Sequence, residues 1–336
     1  MVSSVLVGEG LLHRGTVADV VVPTEIAPGR VAVLAQPGSH ALAESVAEHL
    51  DARVRILPDR DAAKKLAVVE DVYLWLNDLG FTRGDLIVAV GGGALTDVAG
   101  FIAATYLRGV PVVLVPTTLL SAVDAAIGGK TGVNVGGKNL AGVFRHPARV
   151  VVDTDVLAAL PEVLVREGAA EAVKAGFIGD PALVDLYEAH GLAAPVSEVV
   201  TRAIAVKARI VSEDFTERGV RAHLNYGHTV GHAVEVAAGI SHGHAVAVGM
   251  VAAGAVSERR LGFGDAVRQT ALLRQLGLPT EASNLDAAHI RALMALDKKR
   301  DASGLRMTLL HAVGAPVVVA VDDADVRTAL RAVRIE

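Results

Sequence analysis

Residues 86–106 read LIVAVGGGALTDVAGFIAATY. The apolar run at 86–90 predicts a buried strand, and the pattern at 98–106 predicts a helix. Gly91, Gly92 and Gly93 form the turn between them. Glycines at such a turn let the backbone approach a pyrophosphate, and the helix N-terminus beyond offers free N–H groups. Asp97 then either caps that helix or bonds a ribose. Taken alone, the turn is equally compatible with no ligand, because the spacing is not Gly-x-Gly-x-x-Gly.

The same alternation surrounds this stretch. Residues 31–34, 54–57 and 112–115 read as strands, and residues 39–50 and 61–79 as helices, with Leu66, Val69, Val72 and Leu76 at core spacing. Strand–helix alternation predicts parallel strands with crossover helices, a Rossmann-like α/β layer of the nucleotide-binding type. From about residue 160 the pattern changes. Residues 162–177, 181–189, 197–213, 245–261, 265–276 and 286–296 read as helices, and only 307–310 and 316–321 as short strands. The expected division is an α/β domain over 1–158 followed by a mostly helical, essentially all-α domain over 159–336.

Composition narrows the function. The chain has 336 residues, 52% of them hydrophobic and 21% charged, which fits a globular protein with a large core. A net charge of −5 and an aromatic content of 3% argue against a nucleic-acid partner. There is no cysteine, so disulfides and thiol catalysis are excluded, in keeping with a reducing compartment. The first residues, MVSSVLVGEG, do not read as a signal peptide. The run at 245–256 falls short of the roughly 20 residues a membrane span needs. A soluble, cytoplasmic protein without membrane partners is expected.

Five of the twelve histidines fall within residues 221–244, RAHLNYGHTVGHAVEVAAGISHGH. In a helix, His228 and His232 share a face. Gly239, Ser241 and Gly243 then break the helix and return His242 and His244 from a turn. Neutral imidazole suits Zn²⁺ and similar cations, so the cluster points to a metal or catalytic role. It is not the His-Glu-x-x-His of metalloproteases, because Thr229 and Val230 follow His228. Gly128-Gly129-Lys130-Thr131 ends like a P-loop, but Asp124 stands where the earlier glycine is required. The segment reads instead as a glycine-rich loop whose lysine suits an anionic substrate. Glu171 and Lys174 lie three apart on one helix face, as a solvated ion pair or a site pair. Residues 297–300, Asp-Lys-Lys-Arg, read as a surface charge run or as a phosphate-capturing cluster.

Together these motifs resemble those of the 3-dehydroquinate synthases, within the sugar phosphate cyclases. The likeness is carried by GGGALTDVAGF at 91–101, YLRG at 106–109, VPTTLL at 115–120, VDAAIGGKTGVN at 123–134 and GKNL at 137–140. It continues through AEAVK at 170–174, LNYGHTVGHA at 224–233, His242-Gly243 and DKK at 297–299. It spans about residues 31–310 in the family's order. The resemblance implies a homodimeric lyase that binds NAD and Zn²⁺ or Co²⁺. It further implies that 3-deoxy-D-arabino-heptulosonate 7-phosphate is converted to 3-dehydroquinate and phosphate, as in the shikimate pathway. Transient oxidation by NAD, phosphate elimination, re-reduction and an intramolecular aldol closure are the steps the family uses.

Carried over residue by residue, the resemblance implies Glu171, His228 and His242 as metal ligands. It sets Asp124, Lys130, Lys174, Lys207, Arg221, Asn225 and His232 around the substrate. Lys130, Asn139, Arg221, His232 and Lys299 would hold its phosphate, with Lys138 nearby. Asp61, Lys64, Gly92, Gly93, Asp97, Thr117 and Thr118 would hold NAD, close to Lys130 and Lys138. The chain departs from the family in four places. His244 replaces a frequent glutamate, Asp59-Arg60-Asp61 replaces Asp-Gly-Glu, Gln36-Pro37 replaces an acidic ribose contact, and the loop at 134–138 is one residue shorter. Aminodehydroquinate synthase, sedoheptulose 7-phosphate cyclase and, more remotely, an NAD- and metal-dependent polyol dehydrogenase are the alternative activities. Gly128-Gly129-Lys130-Thr131 favours the dehydroquinate branch over the sedoheptulose branch.

Overall fold

The computed structural model describes residues 4–13, 17–298 and 304–336. The chain forms two compact units, Met1–Leu160 and Pro161–Glu336. The first runs β1 (Ser4–Gly8), α1 (Val17–Val21), β2 (Val31–Ala35), α2 (His40–His49), β3 (Arg53–Ile56), α3 (Leu66–Asp78), β4 (Leu86–Gly91) and α4 (Gly93–Thr105). It continues with β5 (Val112–Pro116), β6 (Lys130–Val133), β7 (Ala141–Phe144), β8 (Arg149–Asp153) and α5 (Thr154–Ala158).

Six strands form one sheet in the order β1-β8-β5-β4-β2-β3, and every pair in it is parallel. β4 lies between β2 and β5, with Val88 opposite Val33 on one side and Val113 on the other. All six of its residues are buried. A strand covered on both faces has no polar side, so it reads as a continuous apolar run. This explains why residues 86–90 were so plainly a strand. The turn after β4 leads directly into α4, which begins at Gly93, five residues before the apolar period at 98.

Two parts of this unit differ from the sequence reading. β1 and β8 join the sheet, although their paired residues Ser4 and Arg149 are far apart in the chain. The glycine-rich loop contains an antiparallel hairpin of β6 and β7, with Gly132 opposite Gly142. A Cβ at Gly142 would lie 2.4 Å from the Thr131 carbonyl oxygen, so the hairpin needs glycine where strand propensity disfavours it.

The second unit runs α6 (Glu162–Gly179), α7 (Pro181–His190), α8 (Val196–Glu213), α9 (His228–Ala238), α10 (His242–Leu261), α11 (Ala266–Gln275) and α12 (Ala287–Lys298). An antiparallel pair, β9 (Arg306–Ala312) and β10 (Ala315–Ala320), and a last helix, α13 (Asp323–Ala332), complete it. α13 adds a helix to those read from the sequence. It is anchored by Asp325, whose fully buried carboxylate accepts hydrogen bonds from Arg259 and Arg260 on α10.

The arrangement of α6, α9 and α10 depends on close backbone approach. A Cβ at Gly249 of α10 would lie 1.7 Å from the carbonyl oxygen of Gly227 at the α9 N-cap. A Cβ at Gly231 of α9 would lie 2.9 Å from the Ala245 carbonyl oxygen, and one at Gly243 would lie 2.2 Å from that of Glu167 on α6. Gly227 also adopts φ +80°, a left-handed conformation in which glycine is unstrained. Backbone cannot yield as a flexible side chain does. Gly249→Ala is therefore expected to cost about 1–3 kcal/mol or more in urea unfolding. Gly38→Ala, whose Cβ would meet nothing within 4 Å, should stay within about 0.5 kcal/mol of the parent.

Candidate functional site

In the second unit the site is built on Glu171. It lies deep in α6, where the small residues of Ala170 and Ala172 flank it, and its side chain is 1% exposed. Lys174, one turn later, is 3% exposed and pairs with Glu171 Oε2. The pair is therefore buried, and the reading of it as a solvated surface pair is overturned.

Glu171 Oε1 faces two imidazoles. His228 Nε2, from the first residue of α9, lies 3.6 Å away, and His242 Nε2, from the first residue of α10, lies 3.1 Å away. The two rings are 5.4 Å apart, centre to centre. Gly239 ends α9 in the left-handed conformation, and the next helix starts at His242, three residues before the predicted 245. The ligand atoms of Glu171, His228 and His242 all lie within 4.8 Å of one another.

The electrostatics suit a cation. His228 Nδ1 donates to the Tyr226 carbonyl at 3.1 Å, which leaves Nε2 with its lone pair towards Glu171. The lone pair and the carboxylate oxygen, 3.6 Å apart, are both electron-pair donors, an arrangement suited to a shared cation. Burial, with Lys174 next, holds the His228 imidazole well below its ordinary pKa, so it is neutral as a ligand must be. Burial alone would raise the Glu171 pKa, but Lys174 and the His242 hydrogen bond outweigh it and hold the carboxyl well below the usual range. Burial would lower the His242 pKa, yet hydrogen bonds to Glu171 and Glu235 push it up to about 9. One carboxylate and two imidazoles, preformed and charge-compensated, form a donor set that fits Zn²⁺ or Co²⁺ with room for a further ligand.

A cavity of about 270 Å³ adjoins this cluster, lined by Asn225, His228, His232, Arg306 and Thr308 among others. The His232 ring stands 5.0 Å from that of His228. Asn225 donates to Glu217 at 3.3 Å. Arg221 is fully buried in the turn before α9, where its backbone N–H donates to Asp214 at 3.1 Å and its guanidinium donates to the Phe215 carbonyl. Lys207 is buried on α8. Lys299 lies outside the described residues. His244 joins neither of the two clusters of metal-capable ligand atoms among the described residues, and its Nε2 is buried there without a hydrogen-bond partner. The sequence reading missed Arg306 and Glu235. Glu235 had a signal, since it stands seven residues after His228 on the same helix face.

In the first unit, Gly92 caps α4 in an extended conformation and Thr118 lies 3.5 Å from where its Cβ would be. The Thr117 N–H donates to the Gly91 carbonyl, bringing the β4 and β5 ends together. Lys64, 2% exposed, pairs with Asp97 at 2.6 Å. Asn134 donates weakly to Asp61 at 3.5 Å, and its side chain accepts the Asn139 N–H at 2.9 Å. Asp124 lies in a turn of π-helix, Ser121–Ala125, a conformation frequent at functional sites. Lys130 opens β6 and is exposed, as is Lys138.

The fold is shared with solved sugar phosphate cyclases. The fold matches the crystal structure of 2-deoxy-scyllo-inosose synthase complexed with carbaglucose-6-phosphate, NAD⁺ and Co²⁺. The TM-score is 0.87 at 29% identity, over 97% of this chain and 96% of that one. It also matches 2-epi-5-epi-valiolone synthase from Streptomyces hygroscopicus subsp. jinggangensis 5008, solved with NAD⁺ and Zn²⁺ bound. There the TM-score is 0.89 at 28% identity, over 99% of this chain and 97% of that one. Residues 54–167 match the 3-dehydroquinate synthase N-terminal family and residues 168–300 the C-terminal family. A 3-dehydroquinate synthase of Thermobifida fusca (strain YX) is 46% identical over 275 residues, covering 79% of this chain and 75% of the relative. The chain belongs to the 3-dehydroquinate synthase family.

Burial of the Glu171–Lys174 pair sets an expectation for stability. Lys174→Met leaves a carboxylate in the interior without its ammonium partner, at a cost of about 3–5 kcal/mol. Urea unfolding of the metal-free variant should show that loss. Added Zn²⁺ should restore more stability to the variant than to the parent, since the ion replaces the missing charge.

Proposed function

We propose that this chain converts 3-deoxy-D-arabino-heptulosonate 7-phosphate to 3-dehydroquinate and phosphate. The observation that carries the reading is the family match across residues 54–300, with the buried Glu171, His228 and His242 cluster inside it. The reaction class is an NAD- and metal-dependent carbon–oxygen lyase that closes a carbocycle. The protein acts as a homodimer in the cytoplasm. No helix among the described residues is long and apolar enough to cross a membrane.

Glu171, His228 and His242 hold a divalent cation, which supplies Lewis acidity towards a substrate hydroxyl. Gly92, Gly93, Asp97, Thr117 and Thr118 hold NAD, with Asp61, Lys64, Lys130 and Lys138. Bound there, the nicotinamide would supply a reversible hydride acceptor. Bound NAD⁺ and Co²⁺ or Zn²⁺ in the two related synthases support both assignments. Lys130, Asn139, Arg221, His232 and Lys299 bind the substrate phosphate, and Lys174, Lys207, Asn225 and Asp124 orient its carbon chain. The cationic side chains fix the phosphate without removing its capacity to accept a proton. A positioned internal base of that kind acts at high effective molarity. In this scheme the departing phosphate takes the proton during elimination, and Asp124 orients the substrate.

With the heptulosonate phosphate, Zn²⁺ or Co²⁺ and catalytic NAD⁺, the purified protein should release many equivalents of phosphate per NAD without net NADH. Stoichiometric NADH would indicate a polyol dehydrogenase, and turnover of sedoheptulose 7-phosphate alone would indicate the other cyclase branch. His228→Ala should lose bound metal and activity together. Full metal occupancy in that variant would contradict the ligand assignment.

A further inference from the structure

We infer that Glu235 is a positioning residue of the metal centre, whose carboxylate fixes the tautomer and orientation of His242 so that Nε2 is presented to the cation. The inference rests on the metal reading above. Glu235 Oε2 lies 2.9 Å from His242 Nδ1, while His242 Nε2 lies 3.1 Å from Glu171 Oε1. Imidazole has one proton to place when it serves as a neutral ligand. With a carboxylate at Nδ1, that proton stays on Nδ1, and the lone pair of Nε2 is left for the metal. The same contact opposes rotation of the ring about its Cβ–Cγ bond, since rotation would replace Nδ1 by carbon at Glu235.

The other ligand histidine follows the same plan with a different acceptor. His228 Nδ1 is held by the Tyr226 carbonyl at 3.1 Å. That anchor is backbone and stays in place whatever the side chain. The His242 anchor is a side chain, so it is open to substitution, and its charge also increases the basicity of the ligating nitrogen. The chain geometry delivers it. His228, His232 and Glu235 occupy positions i, i+4 and i+7 of α9, one face of the helix, and His242 begins α10 after the turn at Gly239. Glu235 is 18% exposed, so its interaction is only partly screened by solvent.

His232, Glu235 and His242 also bring ligand atoms within 4.8 Å of one another, which raises a second metal site as the rival account. That site would share His242 with the first. Two cations on one imidazole need both ring nitrogens deprotonated, whereas the carboxylate at Nδ1 is satisfied by a proton. The geometry therefore favours one cation with Glu235 behind its ligand.

The test is Zn²⁺ affinity by chelator competition and the visible spectrum of the Co²⁺ form, for the full chain and its Glu235→Ala and Glu235→Gln variants. Urea unfolding of the metal-free proteins runs in parallel. Glu235→Ala should bind Zn²⁺ about 10–100-fold more weakly and alter the Co²⁺ bands. Glu235→Gln keeps a neutral acceptor and should fall between Ala and the parent, and it carries the test if the Ala variant does not fold. Unchanged affinity and spectrum in a folded variant would overturn the role of Glu235 alone. So would two equivalents of Zn²⁺ in the parent, one lost and one unaltered in the variant. A parent that binds no cation would overturn the whole reading of the site.

Discussion

The helical unit depends on one steric constraint, the absence of side chains where α6, α9 and α10 meet. With Gly249 against the Gly227 carbonyl, Gly231 against Ala245 and Gly243 against Glu167, the helices approach at backbone distance. Glycine 227 lies beside His228, and glycine 243 beside His242. The residues that permit the packing are thus neighbours in sequence of two of the clustered imidazoles. Any displacement of the helix ends would move the imidazoles as well.

That packing also accounts for the buried charge. Glu171 would be a costly carboxylate if isolated, and its position is stable because the Lys174 ammonium and the His242 N–H stand beside it. Glu235 extends the arrangement by one further shell. The order of charges from α9 through α6 is carboxylate, imidazole, carboxylate, ammonium. A divalent cation among Glu171, His228 and His242, as proposed, would complete this pattern.

Much of this was legible in the chain. Buried parallel strands such as β2, β4 and β5 are unbroken apolar runs, and long helices such as α8 carry their period openly. The histidine cluster within 221–244 declared itself through spacing and composition, while the choice of His228, His232 and His242 within it came from the family resemblance. Other features were hidden for physical reasons. β1 and β8 are short, and their pairing depends on residues distant in sequence. β6 and β7 carry glycines that lower strand propensity but fit the Thr131–Gly142 contact. α10 begins with His242 and Gly243, which locally read as a turn, and tertiary packing makes them helical. Burial of the Glu171–Lys174 pair could not be read from spacing, because a surface pair has the same i, i+3 register. Glu235 was visible in register with His228, but its meaning depended on where the following turn brought His242.

The proposed chemistry turns on a single cation held by one carboxylate and two imidazoles. X-ray absorption spectroscopy of the Zn²⁺-loaded protein tests it most directly, because imidazole gives a distinct multiple-scattering signature. The expected first shell has two imidazole nitrogens at about 2.0–2.1 Å, with the remaining ligands oxygen at similar distances. A shell with three or more imidazoles, drawing in His232 or His244, or one with no imidazole, would contradict it.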